Sequence, residues 1–354
     1  MKWIMQRWHE LCGRYRKGFL AFVLCVLITI LASLCTWLTT KNLYDQQAAL
    51  RWAGTNDDYA QVSCFYPISL EMTEFDFLSL HHSIEEALTA ASITAESANA
   101  DLFEDAYSVT GKLQISTENG TKEVNVVGVS DSFFLFHPVH LLTGSYFDEN
   151  MVMKDGVILD EDTAFYLYGS NDVVGMPVYI GNTPYYIRGV AAREDSYYAK
   201  KAGLSEAVCF VSVDTLKTYG TIVGSYTYEV VMPSPVDGFA KDAVVTALND
   251  TQQQIEVVEN SARFSFDAKK ETVLDFGVRS MSRNSILYPY WENIARATED
   301  VCGLLFVIQT VAFVTSAVLF ILYVRILYKN RTWSVKGIFT GISDAMYDRK
   351  CKRG

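Results

Sequence analysis

Two uncharged, strongly apolar runs, residues 18–40 and 301–324, stand near the two ends of the chain, with a long mixed stretch between them. They hold 23 and 24 residues, bounded by Lys17 and Lys41 and by Asp300 and Arg325. A helix needs roughly 20 apolar residues to cross a hydrocarbon core, so each run predicts one membrane span. Aromatic residues gather where the spans should meet an interface: Trp37 and Tyr44, then Tyr288, Tyr290 and Trp291, then Tyr328 and Trp333. That is the pattern of an aromatic belt. The first run exceeds the roughly 7–15 residues of a signal-peptide core, and no small-x-small site precedes Lys41, so an uncleaved anchor is expected.

Between the spans the period changes repeatedly. Residues 59–66 read as a strand, and after Pro67 the run Thr73-Glu74-Phe75-Asp76 has the form of a capping box. Phe77, Leu80, Ile84, Leu88 and Ala91 follow at helical spacing. A second strand-helix-strand unit is expected at 226–232, 239–248 and 255–258, with Pro233-Ser234-Pro235 as its breaker. The stretch between these units has shorter elements. Strands at 107–116 and 121–129 flank Glu118-Asn119-Gly120, where Asn-Gly predicts a type I′ hairpin. A strand at 156–159 precedes a helix at 162–168, and 177–180 pairs with 184–190 around Gly181-Asn182. A strand at 207–213 leads into a helix at 214–218. The fold class read from this pattern is α+β: two transmembrane helices flank an extracytoplasmic domain at 41–300. Its discontinuous α/β subdomain of βαβ type, 59–105 with 225–300, carries a β-rich insertion at 106–224.

Charge sets the expected orientation. Residues 1–18 carry five Lys or Arg against Glu10, a net +4, and residues 325–354 carry eight against Asp344 and Asp348, a net +6. The whole chain is −11, which leaves −21 for residues 19–324. Basic flanks favour the cytoplasm, so the tails 1–17 and 325–354 are expected inside and the acidic domain outside, in the cell membrane. An acidic face disfavours nucleic acid as a partner and could draw cationic molecules, but an ordinary solvated surface is the preferred reading.

Candidate chemistry is sparse. Of seven cysteines only Cys64 and Cys209 fall in the exported region, each in an apolar strand-like run where a buried thiol is the ordinary reading. His81 and His82 lie beside Glu85 and Glu86, and His137 and His140 are three apart; an exposed helix face and a loop explain them without a metal. No Gly-x-x-x-x-Gly-Lys-Ser/Thr phosphate loop occurs, so the chain is not expected to hydrolyse ATP. No catalytic, cofactor-binding or metal residues are assigned, and the chain is read as no enzyme.

Several short elements follow one another in a recognisable order. They are Gly128-Val129-Ser130 before Phe133-Phe134, Leu142-Thr143-Gly144-Ser145-Tyr146-Phe147, and Val157-Ile158-Leu159-Asp160-Glu161. Leu167-Tyr168-Gly169-Ser170, Val174-Gly175 and Ile187-Arg188-Gly189-Val190 complete the series. In order and spacing this resembles the extracytoplasmic core domain of MacB/FtsX-like ABC transporter permeases. Read as residues alone, Gly128, Gly144, Gly175 and Gly189 serve turns and close backbone approaches, and Phe133, Phe134 and Phe147 serve the core.

The resemblance extends to the tail. Arg331, Trp333, Lys336-Gly337-Ile338-Phe339 and Gly341, within 331–343, are similar to the cytoplasmic segment through which such permeases contact their ATPase. It implies a non-catalytic, membrane-spanning component that transmits motion from a cytoplasmic ABC ATPase to the exported domain. In the family the domain is followed by three helices, of which the sequence carries one. A second permease subunit or a homodimer is therefore the expected partner, within the lipid bilayer. A regulator of an exported cell-wall hydrolase, of the FtsX kind, is the next reading. A two-span sensor comes after it, because only about 30 residues follow the second span.

Overall fold

The computed structural model describes residues 16–54, 58–93, 101–147, 154–194, 200–202, 208–250, 254–279 and 285–329. The chain divides into two compact units, Met1–Trp37 with Leu304–Gly354, and Leu38–Gly303. Helix α1 is Arg16–Lys41, and the last helix among the described residues begins at Tyr290 and runs to Lys329. Both are long and apolar enough to cross a membrane. In the first unit the two lie antiparallel side by side. Phe19 faces Tyr323 and Phe22 faces Phe320, each pair with ring centroids 6.2 Å apart, and Gln309 Nε2 donates to Ser33 Oγ at 2.8 Å.

The second unit opens with a 3-10 turn at Tyr44–Gln46 and helix α2 at Ala48–Ala53. Strand β1 is Tyr59–Phe65. Helix α3, Glu74–Ala90, starts at the expected capping box: Asp76 N–H donates to Thr73 Oγ1, and Thr73 N–H donates to Asp76 Oδ2 at 2.8 Å. Its buried positions, Phe77, Leu80, Ile84 and Leu88, are those of the apolar period. Strand β2, Glu104–Thr117, then pairs with β3, Gly120–Val129. Their turn is not type I′, which needs positive φ at both central residues. Glu118 and Asn119 both have negative φ. Instead Asn119 N–H donates to Thr117 Oγ1 at 3.2 Å and its side-chain amide donates to Leu167 O at 2.9 Å. The Gly181-Asn182 turn does have positive φ at both positions, 55° and 68°.

A four-residue helix α4, Phe133–Phe136, is followed by β4 at Leu141–Gly144 and β5 at Gly156–Asp160. Helix α5, Glu161–Tyr168, is capped by Asp160 and ends on left-handed Gly169. Strands β6 (Pro177–Ile180), β7 (Thr183–Ala191) and β8 (Val208–Ser212) lead to helix α6, Val213–Tyr219. Strand β9, Thr221–Pro233, precedes α7, Phe239–Leu248, and β10, Glu256–Glu259. Helix α8, Phe266–Leu274, and the short α9, Phe276–Arg279, come before α10, Tyr290–Lys329.

All ten described strands join one sheet in the order β10-β1-β9-β2-β3-β8-β5-β7-β4, with β6 against β2 and β7. At one end β9 is antiparallel to both β1 and β2, and β1 is antiparallel to β10. So β1-α3-β2 and β9-α7-β10 are each a parallel pair with a strand of the other unit slotted between, a split β-α-β arrangement. Helices α3 and α7 pack together on one face. The segment between β2 and β9 supplies the other strands, and β6 returns to β2 through Ser116 and Tyr179. Strands β2, β3, β8, β5, β7 and β6 thereby close into a ring, with β4 outside β7. Strand β2 belongs to both parts. One apolar core, including Ile84, Val109, Leu159 and Val230, runs continuously under the sheet. The opposite face is covered by smaller clusters around Phe133 and Trp291 and around Ala48 and Phe136.

Trp291 departs from the aromatic-belt expectation. It is buried beside Phe133, at 5.6 Å between ring centroids, because α10 begins eleven residues before the apolar run and packs its first turn into the domain. Trp37, Tyr44 and Tyr328 are exposed, and Trp333 lies outside the described residues.

Gly144 sits at φ +86°, where an added Cβ would stand 2.1 Å from Arg188 O, whereas Gly169 at φ +71° has open space around it. Gly169→Ala is expected to cost about 1–2 kcal/mol, the penalty of left-handed backbone alone. Gly144→Ala should cost several times the Gly169→Ala loss or prevent folding, because β4 and β7 must also part; denaturant unfolding of the two variants measures the difference.

Candidate functional site

Strand β9 reads Thr-Tyr-Glu-Val-Val-Met through its centre, with one charged residue in an otherwise apolar buried run. That residue, Glu229, is 3 % exposed. Ser63 stands directly opposite it on β1, and Ser63 Oγ donates to Glu229 Oε1 at 2.6 Å. Asn260 Nδ2 donates to Ser63 Oγ at 2.6 Å. On the other carboxylate oxygen Glu229 meets His137 Nε2, and His137 Nδ1 lies 2.9 Å from Asp45 Oδ1. The imidazole also lies against Trp291 with ring centroids 4.2 Å apart, where a charged ring gains a cation–π contact. One buried histidine thus joins the segment after α1, the central sheet and the first turn of α10.

Burial by itself opposes a charged His137. The Glu229 charge, the hydrogen bonds with Asp45 and Glu229 and the Asp45 charge outweigh it and raise the pKa to about 9. His81 is raised as well, by its hydrogen bond to Asp105, which also accepts from Tyr228 OH at 2.6 Å.

A second cluster lies next to the first. Arg263 is 5 % exposed and forms a two-pronged pair with Glu292 of α10, Nη1 to Oε2 at 2.7 Å and Nη2 to Oε1 at 2.5 Å. Its Nε donates to Glu299 and its Nη1 also donates to Gln46 Oε1 at 3.0 Å. Arg296 Nε completes the shell of Glu292 at 2.7 Å and the same guanidinium pairs with Glu256 of β10 while lying 3.9 Å over the Tyr288 ring. Gln61 of β1 ties in the juxtamembrane segment: Ala48 N–H donates to Gln61 Oε1 at 2.9 Å and Gln61 Nε2 donates to Asp45 O at 2.8 Å. Arg51 of α2 clamps the carbonyls of Leu135 and Phe136 at the end of α4. Apart from the Arg296–Glu292 bond within α10, these contacts join different chain segments, so the arrangement holds elements in fixed register.

The sequence-predicted segment, Arg331, Trp333, Lys336, Gly337, Ile338, Phe339 and Gly341, lies outside the described residues. His137 and His140 both lie in the loop between α4 and β4, as expected, but His137 is buried in the network while His140 is exposed. His82 lies exposed beside Glu85 and Glu86, and among the described residues no three His, Cys, Asp or Glu side chains converge on a metal position. Cys64 and Cys209 are both free, and burial pushes both thiols up. They stand on β1 and β8, with three strands between them, several times the roughly 7 Å that a disulfide tolerates. The network was missed because its members are far apart in sequence. Glu229 inside an apolar strand and Gln61 with Ser63 on one face of β1 were the available signals.

A histidine whose folded pKa is raised stabilises the fold fully below its unfolded value near 6.5, and that contribution disappears as pH rises through about 9. Chemical denaturation of the full chain in detergent should therefore show a loss on the order of 3 kcal/mol over that window. His137→Leu should flatten the slope; an equally steep slope in the variant would assign the loss to other groups. Glu292→Gln leaves the buried Arg263 and the half-buried Arg296 short of a charge and should cost about 3–5 kcal/mol in the same measurement.

The chain matches the model of the MacB-like periplasmic core domain over residues 42–262, more than half its length. No curated protein matches it. Three solved structures are similar in part. The extracellular domain of the noncanonic ABC-type transporter YknZ from Gram-positive bacteria is 15% identical with a TM-score of 0.36, the match covering 56% of this chain and 99% of that one. The periplasmic region of MacB from Actinobacillus actinomycetemcomitans is 17% identical with a TM-score of 0.38, covering 64% and 96%. A domain of a putative permease protein from Porphyromonas gingivalis is 13% identical with a TM-score of 0.33, covering 57% and 89%. With the family model spanning β1 to β10 and two membrane-length helices flanking it, the chain belongs to the MacB-like periplasmic core domain family, of the MacB/FtsX-like ABC transporter permease type.

Proposed function

We propose that this chain is a non-catalytic mechanical component of an ABC transport system, passing movement of a cytoplasmic ATPase through its membrane helices into the exported domain. The observation that carries the reading is the buried network. Arg263 and Glu292 bind the first turns of α10 to the loop after β10, while His137, Glu229 and Gln61 bind the segment after α1 to the central strands. A displacement of either helix end is delivered to β1 and β9, because no element of the network can move without separating buried charges. Such coupling between sites is the use to which packed, ion-paired elements are put in switching proteins.

The orientation in this proposal, both tails cytoplasmic, rests on the +4 and +6 flanks against the −21 middle. The ATPase docks at 331–343, where Ile338 and Phe339 supply apolar contacts and Lys336 a charge. Purification of the full chain from its own membranes should bring down an ABC ATPase, and Ile338→Glu should release it while the domain still folds. Absence of any ATPase from the purified material, or binding untouched by Ile338→Glu, would overturn the proposal.

A further inference from the structure

The second apolar run begins at Val301, and Gly303 is its third residue. A Cβ at Gly303 would stand 3.2 Å from Thr272 Cγ2 and 3.5 Å from Val273 Cγ2, so the C-terminal end of α8 lies directly against the start of that run. The end of the first run is at the same level, with Thr39 Oγ1 4.0 Å from Cys302 Sγ. At the opposite end of α8, Phe264 stands just before the Ser265 cap and lines a cavity of about 320 Å³ together with Thr40 and Leu50. Helix α8 therefore reaches from beside the end of one apolar run to beside the start of the other, at the depth where both change from polar to apolar.

Thr272 is buried on the side of α10, but Leu274 is 73% exposed and Phe276 is 60% exposed. Two large apolar side chains this open, two residues apart at the α8–α9 corner, are unfavourable in water and favourable at a lipid boundary. Charge does not explain their placement. Across residues 266–276, Lys269 and Lys270 stand against Asp267, Glu271 and Asp275, leaving no positive excess to attract anionic headgroups. The occupant that fits is the apolar margin of the bilayer already crossed next to Gly303.

We propose that Leu274 and Phe276 insert into the lipid leaflet on the side of the exported domain, making the α8–α9 corner a third membrane contact beside the two spans. The inference stands on the spans alone and does not depend on the ATPase. The test uses the full chain in its own membranes, with radiolabelled phospholipid and p-benzoylphenylalanine placed singly at positions 274, 276, 307 and 118. Val307 is an exposed residue within the second span, and Glu118 is exposed in the β2–β3 turn. The expected result is a lipid adduct at 274 and 276 of the same order as at 307, with none at 118. Lipid adducts at 307 but not at 274 or 276 would overturn the proposal. So would adducts at those positions to a second copy of the chain or to another protein.

Discussion

The pair between Arg263 and Glu292 is the contact on which the lower part of the domain is organised. Both groups are buried, and removing two charges from water carries a penalty that only well-aligned partners offset. Alignment is supplied from four places: the loop after β10, α10 through Glu292, Arg296 and Glu299, the turn before α2 through Gln46, and β10 through Glu256. Once the guanidinium of Arg263 is fixed in this way, the first turns of α10 are held against the domain. Trp291, in the first turn of α10, then stands against Phe133 and His137, which joins this cluster to the one around Glu229.

The sheet joins the elements that the network holds. Strand β9 is antiparallel to β1 and β2 at once, and β2 continues without interruption into the closed ring of the inserted segment. The two parts of the domain therefore share backbone hydrogen bonds, and a close-packed core runs beneath both. Dense interiors transmit strain. A force applied at Glu229 has a covalent and hydrogen-bonded path to the ring through β9 and β2.

Local chemistry was the legible part of the sequence. The spans, the Thr73–Asp76 capping box and the Gly181-Asn182 turn are each decided by residues within one or two turns of chain, and each stands where its pattern predicts. Gly120 misled because the Asn-Gly signal competes with longer contacts: Asn119 bonds Leu167, 48 residues away. Trp291 misled for the related reason that aromatic residues before a span are read as interfacial unless the helix is known to start earlier. The network was hidden because it joins positions such as Gln46 and Arg263, 217 residues apart. Such contacts follow from strand order, which periodicity does not determine.

An apolar seam would bury these helix ends with less desolvation, so the choice of charge calls for a reason. Hydrophobic contact is non-directional and tolerates sliding of one surface on another. A two-pronged guanidinium–carboxylate pair fixes both distance and plane, and Glu229 is fixed likewise by donors on opposite sides, Ser63 and His137. Under the mechanical role proposed above, directional contacts at the two helix ends would keep one register while apolar packing fills the rest of the sheet. The distribution of residues follows that division, with the ionic cluster at Asp45, Arg263 and Glu292 and the large aliphatic core between the sheet, α3 and α7.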